Sequence, residues 1–239
     1  MSKEFEIFPI GDHGITLRCG RAADLAVNGK MAAMADWLRT QHIAGIRDII
    51  PVYNSVTIIY NVSEISRTLP ETPKAYISGW LKKAWEGVEP KPRTDRPVIQ
   101  IPVCYDDSYA LNKQYVVRHT GLEWKEIVEL HTSKTYQVCM LGFLPGFPYL
   151  GLLPEVLTVP RKETPRTPVP AGSITICDRQ TGIFPFTHRG GWAVIGRTPE
   201  NFFDASADNP ALLKVGDQVR FYSITVEEFR ERSEKSSDL

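Results

Sequence analysis

Seventeen of the 35 prolines and glycines in this 239-residue chain fall between Gly142 and Glu200. Proline fixes φ and lacks a backbone donor, while glycine opens conformations closed to other residues, so no long helix can run through that stretch. The sequence there can build only short strands joined by stiffly shaped loops. Tyr136 to Leu141, Ser173 to Cys177, Gly182 to Pro185, Trp192 to Ile195 and Gln218 to Tyr222 are strand-like, as is Val98 to Cys104 upstream. Short strands in that number predict a sandwich or closed barrel, which protects strand edges from foreign pairing.

A second break lies at Glu89 to Pro97, where three prolines among charged residues interrupt the helical periodicity. It predicts an α+β domain over 1–88, a linker over 89–97 and a β-rich domain over 98–239. In the first domain, Phe5 to Pro9 and Ile15 to Cys19 flank the turn residues Gly11 to Gly14, and Ile46 to Val52 and Ser55 to Tyr60 flank Tyr53-Asn54. Both read as hairpins. Val27, Met31, Met34 and Leu38 step by helical intervals, and Ile77, Leu81, Ala84 and Val88 repeat them, so two amphipathic helices can cover one face of the sheet. Past the linker, helices are expected over about Ser108 to His119 and Leu122 to His131, the second opened by a capping box from Thr120 to Glu123. The charged residues from Glu227 to Leu239 are expected to fray.

Twenty-eight basic and 28 acidic side chains leave no formal net charge, which excludes a strongly basic nucleic-acid binder or a polybasic membrane protein. Any anion site must be local. No run approaches the roughly 20 apolar residues of a membrane span, and the N-terminus lacks the apolar core of a signal peptide, so the cytoplasm is the expected compartment. Cys19, Cys104, Cys139 and Cys177 form no C-x-x-C pair and read as buried thiols. The five histidines lack metal-ligand spacing, and no metal is expected.

Unusual chemistry concentrates in the proline- and glycine-rich stretch. Gly142-Phe-Leu-Pro-Gly-Phe-Pro-Tyr-Leu-Gly151 reads either as a rigid loop lined by Phe143, Phe147 and Tyr149 or as a packed hydrophobic turn. Four prolines between Pro160 and Ser173 hold Arg161 and Arg166 on extended chain, where a pre-ordered guanidinium loses less entropy on meeting a carboxylate or phosphate. Gly190-Gly191 reads as a tight hairpin, and Gly196-Arg197-Thr198 as amides and a guanidinium for an anion. His131 falls on the apolar face of its helix near the C-terminus. The helix end would raise its pKa and burial would lower it, leaving either a poised acid-base or a core histidine. His188 is placed in a turn. There is no P-loop, no dinucleotide fingerprint and no G-x-S-x-G elbow.

The same stretches resemble the KipI family, also described as allophanate hydrolase subunit 1 or as the 5-oxoprolinase B subunit. The likeness runs through His131-Thr132, Gly142 to Leu150, Pro160-Arg161, Thr164-Pro-Arg166, Val169 to Ser173, Gln180-Thr-Gly182, Gly190-Gly-Trp192 and Ile195 to Pro199, with Gly11-Asp12 upstream. The resemblance implies a small α+β N-terminal domain followed by a cyclophilin-like β-barrel. It also implies ATP-dependent opening of 5-oxoproline to glutamate, carried out with a homologous KipA or C-type partner and an A-type protein of the same complex. ATP would be used by the complex, since this chain has no nucleotide motif. His131, Arg166 and Gln180 are then expected at the catalytic site, with Arg161, Arg197, Phe143 and Tyr149 binding substrate. In these roles Arg166 would hold an anion, His131 would move a proton or orient water, and Gln180 would bond an amide. Two departures bear on the pocket: Tyr105-Asp-Asp-Ser108 replaces a glycine-rich turn, and Cys177-Asp-Arg179 stands where small residues are usual. The family also holds two other functions, inhibition of a sensor histidine kinase and carboxyl transfer to urea-like amides with a biotinylated partner.

Overall fold

The computed structural model describes residues 4–20, 24–89 and 97–237. The chain divides into two compact units, residues 1–93 and 94–239. The interior of the linker expected at 89–97 lies outside the described residues.

The first unit runs β1 (Phe5–Ile10), β2 (Gly14–Cys19), α1 (Leu25–Thr40), β3 (Ile46–Val52), β4 (Ser55–Tyr60), α2 (Val62–Thr68) and α3 (Pro73–Gly87). Its strands form one antiparallel sheet in the order β1-β2-β4-β3. Alternation along β2 and β4 turns Ile15, Leu17, Val56 and Ile58 to one face, where they meet Met31, Met34, Leu38, Ile77 and Leu81 from the helices. The Asp24 carboxylate caps α1 by accepting from the Ala26 and Val27 amides. Thr72 caps α3, and Pro73 opens it where a missing N–H costs nothing. α2 has no counterpart among the sequence expectations, since seven residues are too few for a periodicity to register.

The second unit runs β5 (Ile99–Val103), α4 (Lys113–Thr120), α5 (Trp124–Thr132), β6 (Thr135–Leu141), β7 (Pro148–Gly151), a 3-10 turn (Glu155–Leu157), β8 (Arg166–Val169), β9 (Ser173–Cys177), β10 (Gln180–Ile183), β11 (His188–Gly190), β12 (Ala193–Arg197), β13 (Gln218–Ser223) and α6 (Val226–Ser237). Seven strands form a sheet in the order β12-β9-β10-β7-β6-β13-β5, all antiparallel except the β13–β5 pair. Its two ends meet: the Cys104 amide donates to the Arg197 carbonyl at 2.8 Å, and the Arg197 amide returns to Cys104 at 3.0 Å. The expected barrel is therefore nearly closed. Val103, Val138, Leu150, Ile174, Ile176, Ile183, Ile195 and Phe221 fill its interior. β8 and β11 pair with each other as a separate two-stranded ribbon.

Two local expectations need correction. The capping box of α5 sits one turn later than forecast, with the Glu126 carboxylate accepting from the Glu123 amide at 2.9 Å. Thr120 instead closes α4, donating back to the Val116 carbonyl. The charged C-terminus does not fray over its described length but forms α6, where Thr225 and Glu228 make the reciprocal side-chain-to-amide bonds of a capping box. Phe229 anchors that helix against Tyr109, ring centroids 4.3 Å apart. Among the described residues no helix is long and apolar enough to cross a membrane.

Candidate ligand-binding site

The alternation that turns Leu150, Ile174 and Ile183 into the barrel turns Tyr149, Thr175 and Gly182 outward. Gly182 leaves the outer face of β10 bare, and Phe147 fills the space: a Cβ there would stand 2.9 Å from the Phe147 Cζ. Phe147 then organises the other rings around it. Tyr149, Phe184, Trp192 and Phe143 meet it edge-on, at centroid distances of 4.8, 5.2, 5.9 and 5.8 Å. That geometry sets positive ring edges against negative faces and fixes the orientation of each ring. The loop from Gly142 to Gly151, left open between two readings, is thus part strand and part aromatic wall.

The ribbon forms the facing wall. His188, Arg189 and Gly190 from β11, with Gly191 beside them, line a cavity of about 320 Å³ together with Arg161 and the aromatic rings. The two glycines do not make the hairpin expected of them. Gly190 lets Phe184 approach, since a Cβ there would lie 2.6 Å from its Cζ. Gly191 admits Arg161, whose Nε would stand 3.1 Å from such a Cβ.

The chemistry of the lining is one-sided. Arg161, Arg189 and His188 contribute to it and no carboxylate does. Among the described residues, the Arg161 and Arg189 guanidiniums make no hydrogen bond or ion pair. The Tyr149 hydroxyl and the Trp192 indole N–H likewise donate to nothing, and neither is sealed from solvent. Burial pushes the Tyr149 phenol up, with Arg161 pulling the other way, so the hydroxyl keeps its proton at neutral pH. An aromatic cavity supplied with unmatched donors calls for an acceptor-rich, anionic ligand with a flat or cyclic body.

Of the residues expected at a site, Arg161, Phe143 and Tyr149 line this cavity together. Phe143 stands at its mouth, 60% exposed, its backbone at φ 69° in the left-handed region. Arg166 is outside the lining, opposite Gly190 in the ribbon; burial of Lys162 and the Arg166 charge together depress the lysine's pKa. Gln180 opens β10 on the same outer face as Gly182, outside the lining. Arg197 belongs elsewhere: its backbone closes the barrel, its Nε donates to the Ala171 carbonyl at 2.8 Å, and its guanidinium lies 5.8 Å from the Phe229 ring centroid.

His131 is inside the barrel and fully buried. Its Nδ1 is 2.8 Å from the Tyr105 hydroxyl and its Nε2 is 3.0 Å from Thr181 Oγ1. The Thr181 hydroxyl donates to the Thr175 carbonyl, so it must accept from Nε2–H, which leaves Nδ1 to accept from Tyr105. Phe221 stacks on the ring at 4.6 Å. Of the two opposing influences on this imidazole, burial wins and lowers its pKa to about 3. It is a neutral core residue with both nitrogens satisfied, and it lies outside the lining of the cavity. Cys177, just before Asp178, is buried, and its thiol is pushed up to about 11.

Sequence reasoning does not assemble His188, Arg189, Phe184 and Trp192 into one constellation. The signal for it is the Arg189-Gly-Gly-Trp192 run, in which two residues without side chains sit beside the two bulkiest binding groups of the ribbon side.

Residues 5–213 match the carboxyltransferase domain, subdomain C and D. The chain is 32% identical over 240 residues to the 5-oxoprolinase B subunit of Bacillus subtilis, covering 99% of this chain and all of that one. It is 39% identical over 212 residues to the 5-oxoprolinase B subunit of Escherichia coli O157:H7, covering 89% and 93%. Among solved structures, TTHA0988 superposes with a TM-score of 0.75 at 31% identity, covering 88% of this chain and 40% of that longer one. A match over most of the chain, carried through both units and including the cavity-bearing segment, places this protein in the carboxyltransferase family of subdomain C and D type, alongside the 5-oxoprolinase B subunits.

Proposed function

We propose that this chain is the B subunit of an ATP-dependent 5-oxoprolinase complex, in which 5-oxo-L-proline, ATP and water give L-glutamate, ADP and phosphate. The observation that carries the proposal is the aromatic cavity with unmatched donors and no carboxylate, whose size and chemistry suit a small ring bearing a carboxylate and a carbonyl oxygen. Arg161 and Arg189 meet the carboxylate, and the edge-on rings pack against the five-membered ring. A lactam is a poor electrophile. Phosphorylating its oxygen makes the ring carbon a better electrophile; water adds there, the ring C–N bond breaks as the nitrogen takes a proton, and hydrolysis of the resulting acyl phosphate releases phosphate.

With no nucleotide motif in this chain, the nucleotide is handled by its partners, a homologous KipA or C-type chain and an A-type protein. The cavity therefore holds and orients the lactam while the complex supplies the phosphoryl group. On this reading the chain is inactive alone and works in the cytoplasm, where ATP is at hand.

The test is to reconstitute the three chains and follow 5-oxoproline-dependent ADP release with this chain present and omitted. Turnover should be lost on omission and restored on adding it back. Undiminished turnover without the chain overturns the proposal. With the complex assembled, Arg161→Gln should raise KM for 5-oxoproline about tenfold or more, since a charge-assisted hydrogen bond contributes about 1.5–3 kcal/mol.

A further inference from the structure

Two of the four unmatched donors in the cavity are neutral. Tyr149 and Trp192 stand with ring centroids 5.6 Å apart at 79°, and both pack on Phe147. Neither ring is free to wander. Tyr149 is held in β7 between Gly182 of β10 and Met140 of β6, and Trp192 leads directly into β12. Two rigid, neutral donors thus share the lining with two guanidiniums, so the cavity offers uncharged as well as charged donors.

We propose that Tyr149 and Trp192 read the ring carbonyl oxygen of the ligand, so that the cavity selects a lactam over a cyclic carboxylate of the same shape that lacks this oxygen. The inference rests on the reading of the cavity as the 5-oxoproline site. A guanidinium pairs best with the ionised carboxylate, which leaves the neutral donors to the neutral oxygen. A ligand without that oxygen strands two polar groups in a partly dehydrated pocket, and stranding donors is how a hydrogen-bonding site rejects an analogue.

The experiment titrates the 239-residue chain, alone and within the complex, with 5-oxoproline and with cyclopentanecarboxylate, which keeps the ring and the carboxylate but has neither the carbonyl nor the amide. Wild type should prefer 5-oxoproline. Tyr149→Phe, which removes a single oxygen, should weaken 5-oxoproline about tenfold and leave cyclopentanecarboxylate within about twofold. Trp192→Phe should move the same way, and Arg161→Gln should weaken both ligands. Wild-type discrimination in Tyr149→Phe and Trp192→Phe, with both ligands still bound, overturns this inference and leaves the cavity reading standing. Failure of wild type to bind either ligand overturns the cavity reading and the inference with it.

Discussion

His131 illustrates how one side chain is assigned by the balance of two influences. A position in the last turn of α5 favours the imidazolium, but complete burial between Tyr105, Thr181 and Phe221 costs the charged form more. Its pKa of about 3 in the fold lies below the ordinary value of 6.5. Between those two values the unfolded chain takes up a proton that the native imidazole refuses. The stability contributed by neutral His131 is therefore fully present above pH 6.5 and falls by about 1.4 kcal/mol per unit as pH drops toward 3. Urea unfolding should show about 2 kcal/mol lost between pH 7 and pH 5 that His131→Gln does not lose; equal losses in the two proteins would reject the buried neutral state. Gly191 acts at the same scale on a neighbour. Gly191→Ala should push Arg161 off its rotamer at a cost of about 1 kcal/mol, weakening 5-oxoproline roughly fivefold in a binding titration. The residue types of the cavity were legible in the sequence as stiffened arginines and an aromatic loop. Which arginines share a cavity was not, because Arg161 and Arg189 are 28 positions apart and meet only through the ribbon.

Among the elements, β10 serves both the core and the site, since one of its residues packs inward and the next makes room for Phe147 outside. Thr181 faces inward to His131, and Gly182 faces outward beneath Phe147. Gly182→Ala should drive Phe147 from its place and cost about 1–3 kcal/mol by chemical denaturation, with weaker ligand binding as the second readout. The long amphipathic elements α1 and α3 and the hairpins of the first unit could be read from periodicity alone. The ribbon could not, because β8 has four residues and β11 three, too short for any alternation to stand out. Capping motifs were similarly ambiguous. Thr120-x-x-Glu123 and Thr225-x-x-Glu228 share one pattern, yet only the second closes, since Thr120 is already committed to the end of α4.

At the scale of the molecule, each unit encloses its own apolar cluster: Ile15, Met31, Ile58 and Leu81 in the first, and Val138, Leu150, Ile176 and Phe221 in the second. A private core is what lets a segment fold alone. Residues 1–93 and 94–239, expressed separately, should each unfold cooperatively when heated and followed by circular dichroism. A gradual, sigmoid-free melt of either fragment would show that its core is incomplete. A sandwich or a closed barrel was foreseeable from the number of short strands. Which of the two forms could not be read from them, because the ends meet through a pairing between Cys104 and Arg197, far apart in the chain, with nothing in either residue type to announce it.

The cavity lies on the outside of the barrel, lined by the loops and the ribbon around Tyr149 of β7, while the inward residues of the strands form the interior. Ligand preference is thus written largely in connecting segments and foldedness in the strands they join. Substitution at the outward positions can redirect what the protein recognises while the inward ones go on specifying the same barrel, a route by which one scaffold can diversify across relatives without passing through unfolded ancestors.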